Sequence, residues 1–201
     1  MKLRITYNAP VVLTFTLAAV AVFVLTQAID GAKPWFMAHP HLDGAQAYVG
    51  LFGHILGHAS WAHLLGNFML ILLLGPILEE RHGSLQLLIM ILVTALVTGL
   101  ANMAFSGNNL LGASGIVFMM ILLASMANVR GGEIPLTFIA VAVIYMGGEV
   151  VHSFDKDGVS HMAHLVGGSV GALFGFLSAR NLKKGALPLA NPVKALNKKV
   201  G

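Results

Sequence analysis

The sequence contains no cysteine in 201 residues. Disulfide frameworks, thiolate metal sites and cysteine nucleophiles are therefore excluded. Charge is also scarce, since 10% of the residues are charged and 57% are hydrophobic, whereas an ordinary soluble domain is about 25% charged and roughly 45–50% apolar. Intrinsically disordered chains have low hydrophobicity and high charge, which is the opposite composition, so disorder is excluded. A water-soluble fold is also excluded, because it would expose apolar surface almost everywhere. The composition predicts an all-α membrane protein with room for about six spans of ~20 residues each.

Six hydrophobic segments separated by polar turns predict six transmembrane helices. Their approximate bounds are 10–29, 63–78, 85–105, 112–127, 135–151 and 160–179. The first segment is too long for the hydrophobic part of a signal peptide, so we expect it to be retained. Positions 30–62 form a long connection with two tryptophans, Trp35 and Trp61, a residue type that favours the membrane interface. The two last turns are predicted at 130–133 and 155–158.

Basic residues predict the orientation of these segments. A cytoplasmic N-terminus places ten of the twelve Lys and Arg residues inside, namely Lys2, Arg4, Arg81, Arg130, Arg180, Lys183, Lys184, Lys194, Lys198 and Lys199. Lys33 and Lys156 would lie outside. We therefore expect both termini in the cytoplasm and a single membrane-embedded domain, 1–201, with a core at about 10–180 and a basic tail at 181–201. Such a tail is typical of contact with anionic lipid headgroups, so we expect lipid and no nucleic acid as its partner.

Four polar residues lie within predicted spans, where hydrogen-bonding groups are costly and indicate function. His63 and Asn67 open the second span, Ser114 opens the fourth, and His164 lies one turn into the sixth. These three spans all run from outside to inside in the predicted topology. Their polar residues therefore lie at a similar depth below the outer face, which indicates one shared site.

The four residues have complementary chemistry. Ser114 follows a loop at a helix start, where backbone N–H groups lack intrahelical acceptors and can stabilise an oxyanion. A neutral histidine such as His164 can act as the base that a serine nucleophile needs. His63 and Asn67 are four residues apart, share a helix face and can add further donors. The alternative is that Ser114 only caps its helix, which is the common role of a serine at such a position.

A glycine repeat explains how the histidine could approach the serine. Gly167, Gly171 and Gly175 recur every four residues, and Ala163 extends the series. Small residues at this spacing let two helix backbones approach closely in lipid. We expect Gly115 to offer the matching small surface on the fourth span.

In this order the motifs resemble those of the bacterial rhomboid intramembrane serine proteases, over about residues 10–180. The matching motifs are HxxxN at His63–Asn67, a helix end with Glu79 and Gly83, GxSG at Gly112–Gly115, and AHxxGxxxG at Ala163–Gly171. The resemblance implies a rhomboid-like bundle with six transmembrane helices. It also implies a Ser114 nucleophile and a His164 base without an acidic third member.

The resemblance further implies an oxyanion site formed by His63, Asn67 and the Ser114 backbone N–H. The supporting residues would be Gly112, Gly115, Phe118, Gly167 and Gly171. Phe118 stands where the family often has a tyrosine that stacks on the imidazole. The implied reaction is hydrolysis of peptide bonds in or beside transmembrane segments of other membrane proteins, without metal or cofactor. The fifth span would admit the substrate laterally, and the active site would lie near the outer face of a bacterial plasma membrane.

Two alternatives remain from the sequence. Further histidines cluster on the predicted outside, and they are His39, His41, His54, His58, His152 and His161. Such clusters suggest a metal-handling membrane protein, although we expect His54 and His58 to bond to the backbone. The second alternative is a rhomboid-like protein that binds membrane clients without cutting them. We expect Glu149 to be interfacial rather than catalytic, and Glu79 with Arg81 to form a structural pair or a helix cap.

Overall fold

The computed structural model describes residues 4–126, 133–152 and 160–185, and their regular structure is helical apart from one β-bridge. A short 3-10 helix covers Lys33–Phe36. The seven α-helices of this described part are α1 (Pro10–Ala28), α2 (Ala45–Gly53), α3 (Trp61–His82), α4 (Ser84–Phe105), α5 (Ser114–Ser125), α6 (Leu136–His152) and α7 (His161–Gly185). The predicted all-α class is therefore confirmed for the described residues.

Six of these helices coincide with the six predicted segments. Helix α3 is longer than predicted, because the charged residues Glu79–Arg81 continue the helix instead of ending it. The predicted connection at 30–62 contains α2 and the 3-10 helix, which the sequence analysis missed. The predicted turn residues 130–132 and 155–158, Lys2 and the tail from 186 lie outside the described residues.

The helices differ in their capacity to cross a bilayer. By length and composition, α1, α3 and α4 are long and apolar enough to span a membrane. Helices α5 and α6 are apolar but shorter, with 12 and 17 residues. At 1.5 Å per residue, α5 extends only about 18 Å, well short of a ~30 Å hydrocarbon core.

Helix α5 forms the centre of the molecule. Eight of its 12 residues are buried, and it packs against α3, α4, α6 and α7. A Cβ built on Gly167 would lie 2.9 Å from the Cα atom of Gly115, and one built on Gly171 would lie 2.8 Å from the Cα atom of Met119. The predicted close approach along the glycine repeat is thus confirmed as a contact between the backbones of α5 and α7.

A buried carboxylate joins three helices at the opposite end from the polar residues. The two oxygens of Glu79 accept hydrogen bonds from the backbone N–H groups of Val11 and Val12, each at 3.0 Å. The hydroxyl of Ser84 donates to the same carboxylate at 2.7 Å. Glu79 therefore caps the start of α1 from the end of α3, which confirms its predicted capping role.

Candidate active site

The segment that leads into α5 is held by the connection between α1 and α3. Ala38 and Leu110 exchange two backbone hydrogen bonds of 2.8 and 2.9 Å. The N–H of Gly112 donates to the carbonyl oxygen of His54 at 2.9 Å. These bonds pair the backbone groups of a non-helical segment, and they place the following serine in a defined position.

Gly112 is required at its position for two reasons. Its φ of +126° lies in a region that residues with a Cβ rarely adopt. A Cβ there would also lie 2.7 Å from Cε1 and 2.8 Å from Nε2 of His63. The glycine thus lets the backbone before Ser114 pass directly against the His63 ring.

Ser114 is the first residue of α5 and is half-buried. The N-cap residue is Ala113, whose side chain makes no capping hydrogen bond. The alternative that Ser114 serves as the N-cap of α5 is therefore wrong. Because a helix start leaves its first N–H groups without intrahelical acceptors, the serine hydroxyl lies beside backbone donors.

All four predicted polar residues line one cavity of about 420 Å³. Its walls are Ala59, His63, Asn67, Asn109, Leu110, Leu111, Ser114, Ser160 and His164. The walls come from α3, from the segment before α5, from α5 itself and from α7. Residues far apart in the sequence thus converge on a space large enough to hold several water molecules.

The ring of His164 is held on its face by an aromatic side chain. Phe118 lies one turn after Ser114, and its ring stacks on the imidazole with a centroid distance of 4.5 Å and an interplanar angle of 6°. His164 itself is buried. The predicted stacking of Phe118 on the imidazole is therefore confirmed.

The Nδ1 edge of His164 contacts a carboxylate that was predicted to lie at the membrane interface. Oε2 of Glu149, from α6, lies 2.9 Å from Nδ1 of His164 and 2.6 Å from Nδ1 of His161. The carboxylate is only 15% exposed. The sequence does indicate that Glu149 is unusual, because it is the only charged residue of α6. Its contact with α7 could not be predicted, because residue spacing within α6 does not show how the two helices pack.

Asn67 is held by a histidine that lies behind it. Nδ2 of Asn67 lies 3.1 Å from Nε2 of His58, while Nδ1 of His58 donates to the carbonyl oxygen of Leu56 at 3.1 Å. Since Nδ1 carries the hydrogen, Nε2 accepts from the amide of Asn67, and also from the N–H of Ala113 at 3.4 Å. Burial lowers the pKa of His58 to about 4, so its ring is a neutral acceptor near neutral pH.

The remaining histidines have separate environments. Nδ1 of His54 donates to the carbonyl oxygen of Gly50 at 3.0 Å, and burial lowers the pKa of His54 to about 4. The predicted backbone bonds of His54 and His58 are thus confirmed. His39 and His41 line a different pocket of about 310 Å³, and the His152 side chain lies outside the described residues.

Within the described residues, Glu149, His161 and His164 form a possible three-ligand group, with ligand atoms within 4.8 Å of one another.

Comparison with known proteins gives one family and a set of named relatives. The model of the rhomboid domain matches residues 45–181. The chain is 32% identical over 185 residues to the rhomboid protease GlpG of Yersinia enterocolitica, and 29% identical over 180 residues to that of Yersinia pestis. These alignments cover 87% and 86% of this chain, but only 65% and 64% of the relatives. The chain therefore spans less than two thirds of the length of these relatives.

Proposed function

The chain belongs to the rhomboid family, whose domain matches residues 45–181, and from this premise we propose that it is an intramembrane serine endopeptidase. It cleaves peptide bonds in or next to transmembrane segments of other membrane proteins. The observation that carries the proposal is the single cavity lined by Ser114, His164, His63 and Asn67. These residues supply the nucleophile, the base and the oxyanion donors that acyl transfer requires.

In the first half of the reaction, the Ser114 hydroxyl passes its proton to Nε2 of His164 while Oγ bonds to the carbonyl carbon. The negative charge on the carbonyl oxygen is stabilised by the N–H of Ser114 and by the side chains of His63 and Asn67. The C–N bond then breaks, and the leaving amine takes the proton from His164. The product of this half is an ester between the substrate and Ser114.

In the second half, a water molecule passes a proton to Nε2 of His164, and its oxygen bonds to the ester carbon. The bond to Oγ breaks, and Ser114 recovers its proton from His164. The reaction thus consumes one water molecule and needs no metal or cofactor. The cavity supplies the space for this water beside Ser114.

The short length of α5 supports a site below the membrane surface. Its 12 residues cover about 18 Å of a ~30 Å hydrocarbon core, so non-helical chain must cross part of the remaining depth. Such backbone is tolerated in a membrane only where it is buried in protein or lines a water-filled cavity. Gly112 and Ala113 are buried, and Leu110 and Leu111 line the cavity.

We place the protein in a bacterial plasma membrane as a single domain with six spans and both termini in the cytoplasm. The support for this orientation is the ten-to-two distribution of basic residues across the predicted termini and connections. This orientation places Ser114 near the outer face. Helix α6, which packs against α5 and α7, would be the element that moves to admit a substrate helix from the lipid.

A fluorophosphonate probe tests the proposal, because it reacts only with an activated serine. We expect labelling of the purified wild type and a complete loss in both Ser114→Ala and His164→Ala, with unchanged thermal unfolding. Ser125→Ala is the matched control, since Ser125 lies in the same helix and donates to the carbonyl oxygen of Leu122 at 2.7 Å. Cleavage of a transmembrane substrate should follow the same pattern.

Two results would oppose the proposal. Labelling that persists in Ser114→Ala would assign the reaction to another residue. A wild type that neither reacts with the probe nor cleaves, yet binds a transmembrane client, would favour the non-catalytic alternative.

A further inference from the structure

Glu149 is a carboxylate in a helix that is otherwise uncharged, LTFIAVAVIYMGGEVVH. A carboxylate within a membrane-embedded helix is costly and is retained where it has a partner and a function. Its side chain is mostly buried, at 15% exposure. We therefore expect the contacts of this carboxylate to offset the free energy that its burial costs.

The carboxylate is close enough to His164 to influence which ring nitrogen carries the hydrogen. An ionised carboxylate accepts hydrogen bonds and has none to donate. Because Oε2 of Glu149 lies 2.9 Å from Nδ1 of His164, its negative charge favours the neutral tautomer with the hydrogen on Nδ1. Nε2 is then the nitrogen with a lone pair, which is the form that a general base for Ser114 requires.

His161 holds the same carboxylate from a second direction. It precedes His164 by three residues on α7, so both side chains project from one face of the helix. Its Nδ1 donates to Oε2 of Glu149 at 2.6 Å. The carboxylate oxygen thus accepts a hydrogen bond from His161, and this bond holds it 2.9 Å from Nδ1 of His164, within ion-pair distance.

We propose that Glu149 is a positioning residue for the reaction, so that Ser114, His164 and Glu149 act as a triad and His161 holds the carboxylate in place. The inference rests on the proposed function. When Ser114 passes its proton to Nε2, the imidazolium that forms lies at ion-pair distance from Glu149, with Nδ1 2.9 Å from Oε2. The carboxylate stabilises this positive charge and takes up no proton itself. The ring is then restrained on its face by Phe118, at a centroid distance of 4.5 Å, and on its Nδ1 edge by Glu149.

The test compares Glu149→Gln and Glu149→Asp with the wild type. Glutamine has nearly the same shape without the charge, and its amide nitrogen can present a hydrogen to Nδ1, which favours the wrong tautomer of His164. Since replacing the triad carboxylate by its amide costs ~10⁴-fold in a soluble serine protease, we expect kcat to fall by about 10²–10⁴-fold in Glu149→Gln, with KM nearly unchanged. Glu149→Asp keeps the charge, and we expect it to react at least about tenfold faster than Glu149→Gln.

Glu133→Gln is the matched control, because Glu133 is exposed and lies before α6. It removes the same charge near the other end of α6, away from His164, and we expect wild-type kinetics. Thermal unfolding is measured for each variant, and rates are compared well below each midpoint. Both substitutions alter the packing around residue 149, so both can lower stability. The difference between their rates then still reports the effect of the charge.

Three results would overturn the inference. Equal rates of Glu149→Asp and Glu149→Gln would show that the charge has no positioning role. Wild-type kcat in Glu149→Gln, with labelling still dependent on Ser114, would refute the triad and leave the proposed function intact. Labelling that EDTA abolishes and Zn²⁺ restores would make Glu149, His161 and His164 metal ligands instead. A wild type that shows no labelling dependent on Ser114 would refute the proposed function itself.

Discussion

The contact between α5 and α7 allows a sharp test with a single methyl group. In Gly171→Ala, the new Cβ would lie 2.8 Å from both the Cα atom and the carbonyl carbon of Met119, whereas ordinary contact begins at 3.4 Å. The carbonyl oxygen of Met119 lies closer still, and backbone atoms cannot rotate away, so the two helices must separate by more than about 0.6 Å. A gap of ~0.5–1 Å already forfeits a quarter to a half of the dispersion energy of each contact. We therefore expect Gly171→Ala to weaken the packing that holds His164 near Ser114.

The size of the effect follows from comparison with an unconstrained glycine. Gly66 lies in α3, and a Cβ built there meets no atom within 4 Å. Both substitutions gain about 1 kcal/mol of helix propensity, so the difference between them isolates the cost of the clash. Overpacking typically costs 1–3 kcal/mol, and a clash with backbone belongs near the upper end, so we expect a difference of about 3 kcal/mol. Helix association in lipid depends largely on van der Waals packing, because lipid provides no hydrophobic driving force between helices. Little else can therefore compensate for the packing lost in Gly171→Ala.

Gly175 provides an intermediate case. Its Cβ would lie 2.6 Å from Sδ of Met126, which is a flexible side chain that can move aside. The expected order of stability is therefore Gly66→Ala, then Gly175→Ala, then Gly171→Ala. The free energy of unfolding is measured by circular dichroism in detergent, and labelling by the fluorophosphonate probe reports the state of the site. A Gly171→Ala variant as stable as Gly66→Ala would refute the close backbone contact.

Two further predictions concern the histidines and the oxyanion donors. Burial lowers the pKa of His54 from 6.5 to about 4, so the unfolded chain binds more protons between these values. Stability is then fully present above pH 6.5 and falls as the pH drops towards 4, by about 3 kcal/mol for this residue. Unfolding midpoints measured over this range should show the slope, and His54→Gln should reduce it; an unchanged slope in the variant would contradict the assignment. Separately, Asn67→Ala and His63→Ala should each slow peptide hydrolysis by ~10²–10³-fold, less than Ser114→Ala, and a single loss equal to that of Ser114→Ala would argue against shared stabilisation of the oxyanion.

Local patterns predicted much of the site. His63 and Asn67 were assigned to one helix face from their spacing, and Ser114 to a helix start from the loop that precedes it. The structure places these residues on one cavity together with His164. The role of His58 was only half predicted, since a bond to the backbone was expected but its contact with Asn67 was not. That contact depends on the fold of the connection between α1 and α3, where the sequence analysis missed α2.

By itself, the sequence determined the helical class, most helix positions and the polar residues that the apolar segments carry. These features depend on hydrophobicity and on spacing along one helix, which are local properties of the chain. Only the tertiary structure decided that Glu149 contacts His164, because that contact depends on how α6 packs and rotates against α7. The spacing of Glu149 in its own helix contains no information on its partner, so the contact of this residue with the imidazole could not be predicted from the sequence.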